Sequence, residues 1–399
     1  MPHPAQVTLP DEIPELQFPN GDVEPFPSML TEKGGDPLSK ESDEPIIRCQ
    51  GIWKVFGDAA EEAMQAISNE GLSNDEVRRR YDCVVAVRDA SFSVARGEIF
   101  CIMGLSGSGK STLIRHINRL IEPTAGSIFI EDRDVNAMSQ KELRALRAEK
   151  IGMVFQNVAL MPHRTVRDNV TFSLEVRGAP DTKRAAVARR AIEAVDLAGW
   201  DDMYPDELSG GMQQRVGLAR AIAADPAILL MDEPFSALDP LIRRQLQTTF
   251  MDLSARMRKT TVFITHDLDE AIRIGDRIAI MKDGVLVQIG TPEEIVTRPA
   301  DDYVADFVAG ISRLDLVTAE RVMQPYQEWR HANDVRNTTN WPVASPDDKL
   351  DALVDLAVGA EHPIIVQANG VNLGVVTKKT LLRGIQGREP LPPVDQENA

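Results

Sequence analysis

The chain has little cysteine and a deficit of positive charge. Its 399 residues include three cysteines at scattered positions and six histidines that form no cluster with them. This scarcity excludes a disulfide framework and argues against a zinc site, and it predicts buried, reduced thiols. Acidic residues outnumber basic ones by 61 to 44, and the resulting net charge of −17 argues against a broad nucleic-acid surface. We therefore expect no nucleic-acid partner.

Long apolar runs are also lacking. No stretch approaches the roughly 20 residues needed to cross a bilayer, and the N-terminal segment lacks the basic and apolar regions of a signal peptide. Residues 1–45 contain nine prolines and ten acidic residues, against two lysines and no arginine. Such a segment cannot bury enough apolar surface to offset the entropic cost of ordering. We predict a disordered acidic tail there and a soluble chain beyond it.

The first motif that is present is a glycine-rich loop. Residues 104–112 read GLSGSGKST and fit the phosphate-loop pattern G-x-x-x-x-G-K-[ST]. An apolar strand (98–103) precedes the loop and a helical stretch (110–121) follows it, which places bound phosphate at a helix N-terminus. In such a loop backbone N–H groups surround the phosphates, the lysine meets the β and γ oxygens, and the serine hydroxyl serves Mg²⁺. The residues expected to bind ATP are Gly104, Ser106, Gly107, Gly109, Lys110, Ser111 and Thr112.

A second motif, LSGGMQQR, occupies residues 208–215. Ser209, Gly210 and Gly211 come directly before a helical run (212–224), so their N–H groups lie at the positive end of a helix dipole. A serine N-cap followed by two flexible glycines explains the same letters when they stand alone. The phosphate loop upstream favours a second phosphate-binding segment.

A third motif, ILLMDEP, occupies residues 228–234. The short apolar strand suits the middle of a parallel sheet, and it delivers Asp232 and Glu233 to the edge where α/β proteins bind ligands. A carboxylate suits the activation of water because it accepts a proton without bringing positive charge. A further apolar strand (261–264) ends just before His266, which reaches the same edge.

In this order the three motifs resemble those of an ABC-type ATPase. The resemblance implies an α/β P-loop NTPase fold with a helical subdomain, and it implies ATP and Mg²⁺ as ligands. It assigns Glu233 to the attacking water and His266 to the γ-phosphate. It assigns Gln156, the end of MVFQ, to Mg²⁺ and water. The implied catalytic residues are Glu233, His266 and Gln156, and the implied Mg²⁺ ligands are Ser111, Gln156 and Asp232.

Further positions follow from the same resemblance. Ser209, Gly210 and Gly211, together with Asp239 of FSALDP, are implied to contact the ATP of the opposite subunit in a head-to-tail homodimer. Phe56 of KVFG is the candidate for stacking on adenine. A phenylalanine at a strand end more often belongs to the core, so that alternative stays open for Phe56.

The motifs divide the chain into regions. An ABC ATPase domain is predicted at 46–310, with an insert at 58–83 and a helical subdomain at about 157–225. Residues 311–388 contain PDDKLDALVDL and GVVTKKTLLRG and resemble a small CBS-like α/β domain with a regulatory or dimerisation role. Thr380 stands where nucleotide-binding CBS modules commonly carry Asp, which puts adenosine binding in doubt, and a plain stability domain is the alternative. Residues 389–399 form a predicted tail.

The insert and the run YPDELSGGMQQRVGLARA together resemble the ATP-binding subunits of glycine betaine/proline-type importers. The resemblance implies uptake of a quaternary amine or a related compatible solute. It also implies a transmembrane permease, a periplasmic or lipid-anchored substrate-binding protein, and a peripheral position on the cytoplasmic face of the inner membrane. The alternatives are an importer ATPase for a polar amino acid or sulfonate, or a soluble ABC ATPase that acts on ribosomes or DNA.

Overall fold

The computed structural model of the protein describes residues 45–333, 338 and 340–387. The strands are β1 (Ile47–Phe56), β2 (Val84–Val94), β3 (Ile99–Met103), β4 (Ala125–Ile130), β5 (Arg133–Asp134), β6 (Ile151–Val154), β7 (Ile228–Asp232), β8 (Thr260–Thr265), β9 (Arg277–Lys282), β10 (Val285–Gly290), β11 (Gln324–Pro325), β12 (Val343–Ala344), β13 (Ile364–Ala368) and β14 (Val371–Val376). The helices are α1 (Ala60–Glu70), α2 (Asn74–Tyr81), α3 (Lys110–Ile117), α4 (Gln140–Lys150), α5 (Val166–Val176), α6 (Asp181–Ala194), α7 (Gly210–Ala223), α8 (Pro240–Met257), α9 (Leu268–Ile274), α10 (Pro292–Thr297), α11 (Asp302–Val308), α12 (Ala319–Val322), α13 (Tyr326–Ala332), α14 (Leu350–Gly359) and α15 (Lys378–Ile385).

A largely parallel sheet with the order β10-β9-β3-β8-β7-β6 organises the part of the chain that contains the three motifs. Every residue of β7 and β8 is buried, because apolar side chains cover both faces of the sheet. Met231 belongs to one core with α5 to α9, while Leu230 belongs to the other core with α3 and α4. The register pairs Met103 with Thr265 and Asp232 with Ile264, so β3, β8 and β7 end side by side.

An antiparallel sheet of order β2-β1-β4-β5 packs on the second of these cores. The insert between β1 and β2 folds into α1 and α2 and has a small core of its own, which includes Ile67 and Val77. Ser73 forms a capping box with Glu76 at the start of α2.

Helix α3 is shorter than the helical stretch expected at 110–121, since it ends at Ile117. Arg119 adopts a left-handed backbone (φ +51°) directly after it. The side chain of Arg147 in α4 donates to the carbonyl oxygens of Asn118 and Arg119, at 2.8 and 2.7 Å. These bonds satisfy carbonyl groups that a longer helix would otherwise use.

The C-terminal part has its own four-stranded sheet, β11-β14-β13-β12, and its own apolar core. Helix α14, strand β13, an Asn-Gly turn, strand β14 and helix α15 follow one another along the chain. Asn369 and Gly370 both have positive φ, as a two-residue hairpin turn requires. The CBS-like identity and the domain boundaries stay predictions. The tail predictions for 1–45 and 389–399 lie outside the described residues, apart from Pro45.

Candidate active site

The glycine-rich loop joins β3 to α3 at the edge where the parallel strands end. The backbone of this loop lies so close to other backbone segments of the same chain that two of its positions have no room for a side chain. A Cβ on Gly109 would lie 2.1 Å from the carbonyl oxygen of Ala86, and Gly109 has a φ of +103°. A Cβ on Gly104 would lie 2.1 Å from the carbonyl oxygen of Met281. The loop therefore needs glycine at both positions, and it exposes backbone N–H groups at the start of α3.

Lys110 points into the loop that precedes it. Its Nζ donates to the carbonyl oxygens of Gly104 and Leu105, at 2.8 and 3.0 Å, and lies 3.8 Å from Oε1 of Glu233. The side chain is 4% exposed. Burial lowers the pKa of Lys110, while the negative charges of Glu233 and Asp232 act in the opposite direction. The ammonium group is thus held between the glycine-rich loop and Glu233.

Asp232 ends strand β7 and is fully buried. Its Oδ1 accepts a hydrogen bond of 2.7 Å from Ser111 Oγ, and its Oδ2 pairs with Arg115 at 2.9 Å. Sequence reasoning did not single out Arg115. The signal that points to it is its spacing, four residues after Ser111 on α3, which places both side chains on one helix face.

Glu233 follows Asp232 and adopts a left-handed backbone, with a φ of +46°. This conformation is rare for a residue with a side chain and is held by a 3.1 Å bond from its N–H to the carbonyl oxygen of Ile264. Its Oε2 lies 3.0 Å from Nδ1 of His266 and accepts a 3.5 Å contact from Gln156 Nε2. The structure therefore brings together the three residues that sequence reasoning assigned to catalysis.

A cavity of about 530 Å³ opens over this cluster. Its lining comes from β2, the glycine-rich loop and the ends of the parallel strands. The lining residues are Val84, Val85, Ala86, Leu105, Ser106, Gly107, Gly109, Lys110, Ser111, Thr112, Gln156, Glu233 and His266. The volume and the mixture of apolar rim and charged floor suit a nucleotide-sized ligand.

Phe56 is not among the lining residues. It pairs with Val84 across β1 and β2, so it lies beside the rim, 42% exposed. The ammonium group of Lys54 sits 4.9 Å from the centre of its ring. Phe56 thus belongs to the surface rather than to a core, and its stacking on adenine stays a prediction.

The residues assigned to the opposite subunit also lie outside the cavity of a single chain. Ser209 caps α7, with its Oγ accepting from the N–H of Met212 at 3.4 Å, directly before Gly210 and Gly211. Asp239 caps α8, with Oδ1 accepting from two backbone N–H groups at 3.1 Å each. Helix α7 begins with the N–H groups of Gly210 and Gly211, which can bind an anion. At the start of α8, Pro240 has no N–H and the next two N–H groups bond to Asp239, so this terminus offers no donor to an anion.

The oxygen atoms at the floor of the cavity fit Mg²⁺. This ion prefers hard oxygen ligands and binds with one or two carboxylates plus substrate phosphates. Ser111 Oγ and Asp232 Oδ1 already lie 2.7 Å apart. Within the part of the chain that the structure describes, no group of three or more His, Cys, Asp or Glu side chains could hold a metal on its own.

The three cysteines of the chain, Cys49, Cys83 and Cys101, are unpaired and buried, as predicted. Burial raises the pKa of Cys49 and Cys101 well above the usual thiol range. None of the three lines the cavity. Across the described segments, no helix combines the length and the apolar character that a membrane crossing needs.

The fold and the site define a P-loop ATPase of the ABC class. A family model described as ABC transporter matches residues 87–236. The glycine betaine transport ATP-binding protein OpuAA of Bacillus subtilis is 51% identical over 71% of this chain and 68% of its own length. The glycine betaine/proline betaine transport system ATP-binding protein ProV of Escherichia coli is 50% identical over 86% of this chain and 84% of its own length. The chain belongs to the glycine betaine/proline family of ABC transporter ATP-binding subunits.

Two further similarities bear on substrate and assembly. The trimethylamine N-oxide transport system ATP-binding protein TmoW of Ruegeria pomeroyi is 51% identical over 69% of this chain and 80% of its own length. The ATP-binding cassette MJ0796, solved as a dimer in a post-hydrolysis state with ADP and phosphate, superposes with a TM-score of 0.53 at 31% identity. That match covers 62% of this chain and 98% of the cassette.

Proposed function

We propose that this chain hydrolyses ATP to drive the uptake of glycine betaine, proline betaine, choline or a related compatible solute through a membrane permease. The observation that carries the chemistry is the convergence of Lys110, Gln156 and His266 on Glu233 in one cavity. The cargo assignment is supported by relatives about 50% identical to the chain that are named for glycine betaine transport.

The phosphate loop and Lys110 hold the triphosphate. Backbone N–H groups at the start of α3 meet the phosphate oxygens, and the buried ammonium group of Lys110 offsets their negative charge. Ser111, Asp232 and Gln156 would hold Mg²⁺, which supplies neutralisation of charge on the β and γ oxygens when it is bound. Arg115 keeps the Asp232 carboxylate oriented towards Ser111 through the 2.9 Å ion pair.

Glu233 is the group that accepts the proton of the attacking water. Its side chain is 14% exposed, so the carboxylate is shielded yet open to the cavity. His266, 3.0 Å from Oε2, fixes the orientation of the carboxylate and presents its ring towards the γ-phosphate position. Gln156 approaches the same oxygen and orients the water.

We further propose that two copies of the chain bind two ATP molecules between them. Ser209, Gly210 and Gly211 at the start of α7, with Asp239 at the start of α8, would complete the cavity of the opposite copy. The N-terminus of α7 supports this role for Ser209, Gly210 and Gly211, because such termini bind anions. The similar cassette MJ0796 was solved as a dimer with ADP and phosphate.

The partners proposed for the dimer are a transmembrane permease and a periplasmic or lipid-anchored substrate-binding protein. The chain would then lie on the cytoplasmic face of the membrane. Trimethylamine N-oxide is a second candidate cargo, favoured by the 51% identity to TmoW. An importer of polar amino acids or sulfonates remains the more distant alternative.

The proposal is tested by reconstituting the chain in vesicles with its permease and a substrate-binding protein. Uptake of radiolabelled glycine betaine, proline betaine, choline, trimethylamine N-oxide, taurine and glutamine is measured with ATP inside. We expect ATP-dependent uptake of the quaternary amines and none of glutamine or taurine. Uptake of only glutamine or taurine would refute the cargo assignment, and uptake without ATP consumption would refute the motor function.

A further inference from the structure

The loop that follows Gln156 is fastened to helix α7 by one side chain. Arg220, in the last turns of α7, donates from Nη1 to the carbonyl oxygen of Ala159 at 2.8 Å and from Nη2 to that of Val158 at 2.7 Å. Both arms of one guanidinium group thus hold two successive carbonyl groups. These residues lie 61 and 62 positions from Arg220 in the chain, so no local pattern produces the contact.

The loop is held in a conformation that needs such support. Ala159 has a left-handed backbone, with a φ of +49°, which costs on the order of 1–2 kcal/mol for a residue with a side chain. Val158 packs directly on the helix backbone at Gly217, where an added Cβ would lie 2.6 Å from Val158 Cγ1. Arg220 is half-buried, and this burial lowers its pKa. Its charge strengthens the two hydrogen bonds that it donates to the loop.

Helix α7 also contacts the chain next to Glu233. The buried side chain of Gln214 donates from Nε2 to the carbonyl oxygen of Pro234. One helix, which begins at Gly210 after the Ser209 cap, therefore contacts the loop after Gln156 and the residue after Glu233. Helix α7 therefore supports the chain next to both Gln156 and Glu233, the two residues whose side chains meet at Nε2 and Oε2.

We propose that Arg220 is a positioning residue that fixes the loop 157–160 on α7 and thereby sets how closely Gln156 approaches Glu233. It does not touch the substrate. A displacement of α7 then moves Gln156 along with the helix, which ties the catalytic glutamine to the helix that carries the Ser209 segment. This inference rests on the catalytic role proposed above for Gln156 and Glu233.

The role of Arg220 depends on the two Nη groups of its guanidinium, each of which donates to one carbonyl oxygen. A lysine at this position keeps the positive charge but presents a single ammonium group, which cannot hold two carbonyl groups in a fixed geometry. Arg220→Lys is therefore the informative variant. The matched control is Arg215→Lys on the same helix, since Arg215 also donates from Nη1 to a carbonyl oxygen, that of Val195 at 2.8 Å, but contacts the end of α6 instead.

The first measurement is hydrogen exchange of the loop amides in the full-length chain without nucleotide. We expect Arg220→Lys to speed exchange in segment 157–161, where the N–H of Met161 donates to Asn169 Oδ1 at 2.8 Å, by about tenfold, and Arg215→Lys to leave that segment unchanged. Val158→Ala, which keeps Arg220 and trims only the contact at Gly217, should give a smaller increase in the same segment. Unchanged exchange in Arg220→Lys would overturn the proposal even if the chain proves to be an active ATPase.

The second measurement is ATP hydrolysis by the assembled transporter. Small misplacements of a catalytic group cost up to about a hundredfold in rate, and we expect Arg220→Lys to lower kcat by about tenfold, to raise the Mg²⁺ concentration for half-maximal rate, and to leave KM for ATP within about twofold. In a Gln156→Ala background the same substitution should have little further effect on kcat, because the two residues act in series. Fully additive losses, or an equal loss in Arg215→Lys, would overturn the proposal. If the unaltered transporter does not hydrolyse ATP, the proposed function fails, and the exchange measurement still decides the role of Arg220.

Discussion

Replacing Glu233 by glutamine tests the catalytic assignment most directly. Glutamine has nearly the size of glutamate, so the contacts with His266 and Gln156 at Oε2 can be kept while the proton acceptor is lost. Loss of a general base costs roughly 10²–10⁴-fold in rate, which equals about 3–5 kcal/mol in the activation barrier. The variant also removes a negative charge 3.8 Å from Lys110 Nζ. Because that charge repels the γ-phosphate, we expect ATP to bind at least as tightly as before.

The assay compares steady-state hydrolysis by the assembled transporter with equilibrium binding of radiolabelled ATP. Glu270→Gln serves as the matched control, since Glu270 is also a buried glutamate but lies in α9 outside the cavity. We expect the control to hydrolyse ATP normally and Glu233→Gln to bind ATP without turnover. Hydrolysis by Glu233→Gln within tenfold of the unaltered protein would refute the reasoning.

Three further outcomes are expected. Lys110→Ala should weaken ATP binding by more than tenfold in calorimetry, because the caged ammonium that faces the phosphates is removed, and undiminished affinity would contradict its placement. Mixed dimers of Ser209→Arg with Lys110→Ala should hydrolyse ATP at no more than about half the normal rate, since only one composite site stays intact, and two fully active sites would exclude the head-to-tail arrangement. Burial raises the pKa of Glu270, so its contribution to stability is fully present below the unfolded carboxyl pKa and is lost as the pH rises through the raised folded value. Glu270→Gln should therefore raise the melting temperature at pH 8 and lose this advantage as the pH approaches about 4.5 in thermal unfolding scans.

The floor of the site could be predicted from the sequence because its residues lie at the ends of adjacent strands. Asp232 ends an otherwise apolar strand and Lys110 follows a glycine-rich loop, and both patterns determine where these side chains lie. The parallel register then places β3 beside β8 and β8 beside β7. The local sequence pattern and the rule that parallel strands end at the same edge of a sheet were enough to predict the positions of these residues.

Residues whose partners are distant backbone groups could not be predicted. The carbonyl oxygens that Arg220 and Gln214 hold carry no signature in the sequence, since every residue has one. Arg115 is visible only once the partner of Ser111 is known. Strands β11 and β12 also escaped prediction, because two residues each are too few to show a periodicity.

The C-terminal part buries its own set of apolar side chains, apart from those that support the catalytic sheet. Its attachment includes an ion pair of 3.3 Å between Arg321 and Glu293 and a bond of 3.1 Å from Arg313 to the carbonyl oxygen of Val296. Because the two sets of buried side chains do not overlap, a change in packing within the C-terminal part need not disturb the core around the catalytic sheet. The two parts can therefore tolerate substitutions independently of each other.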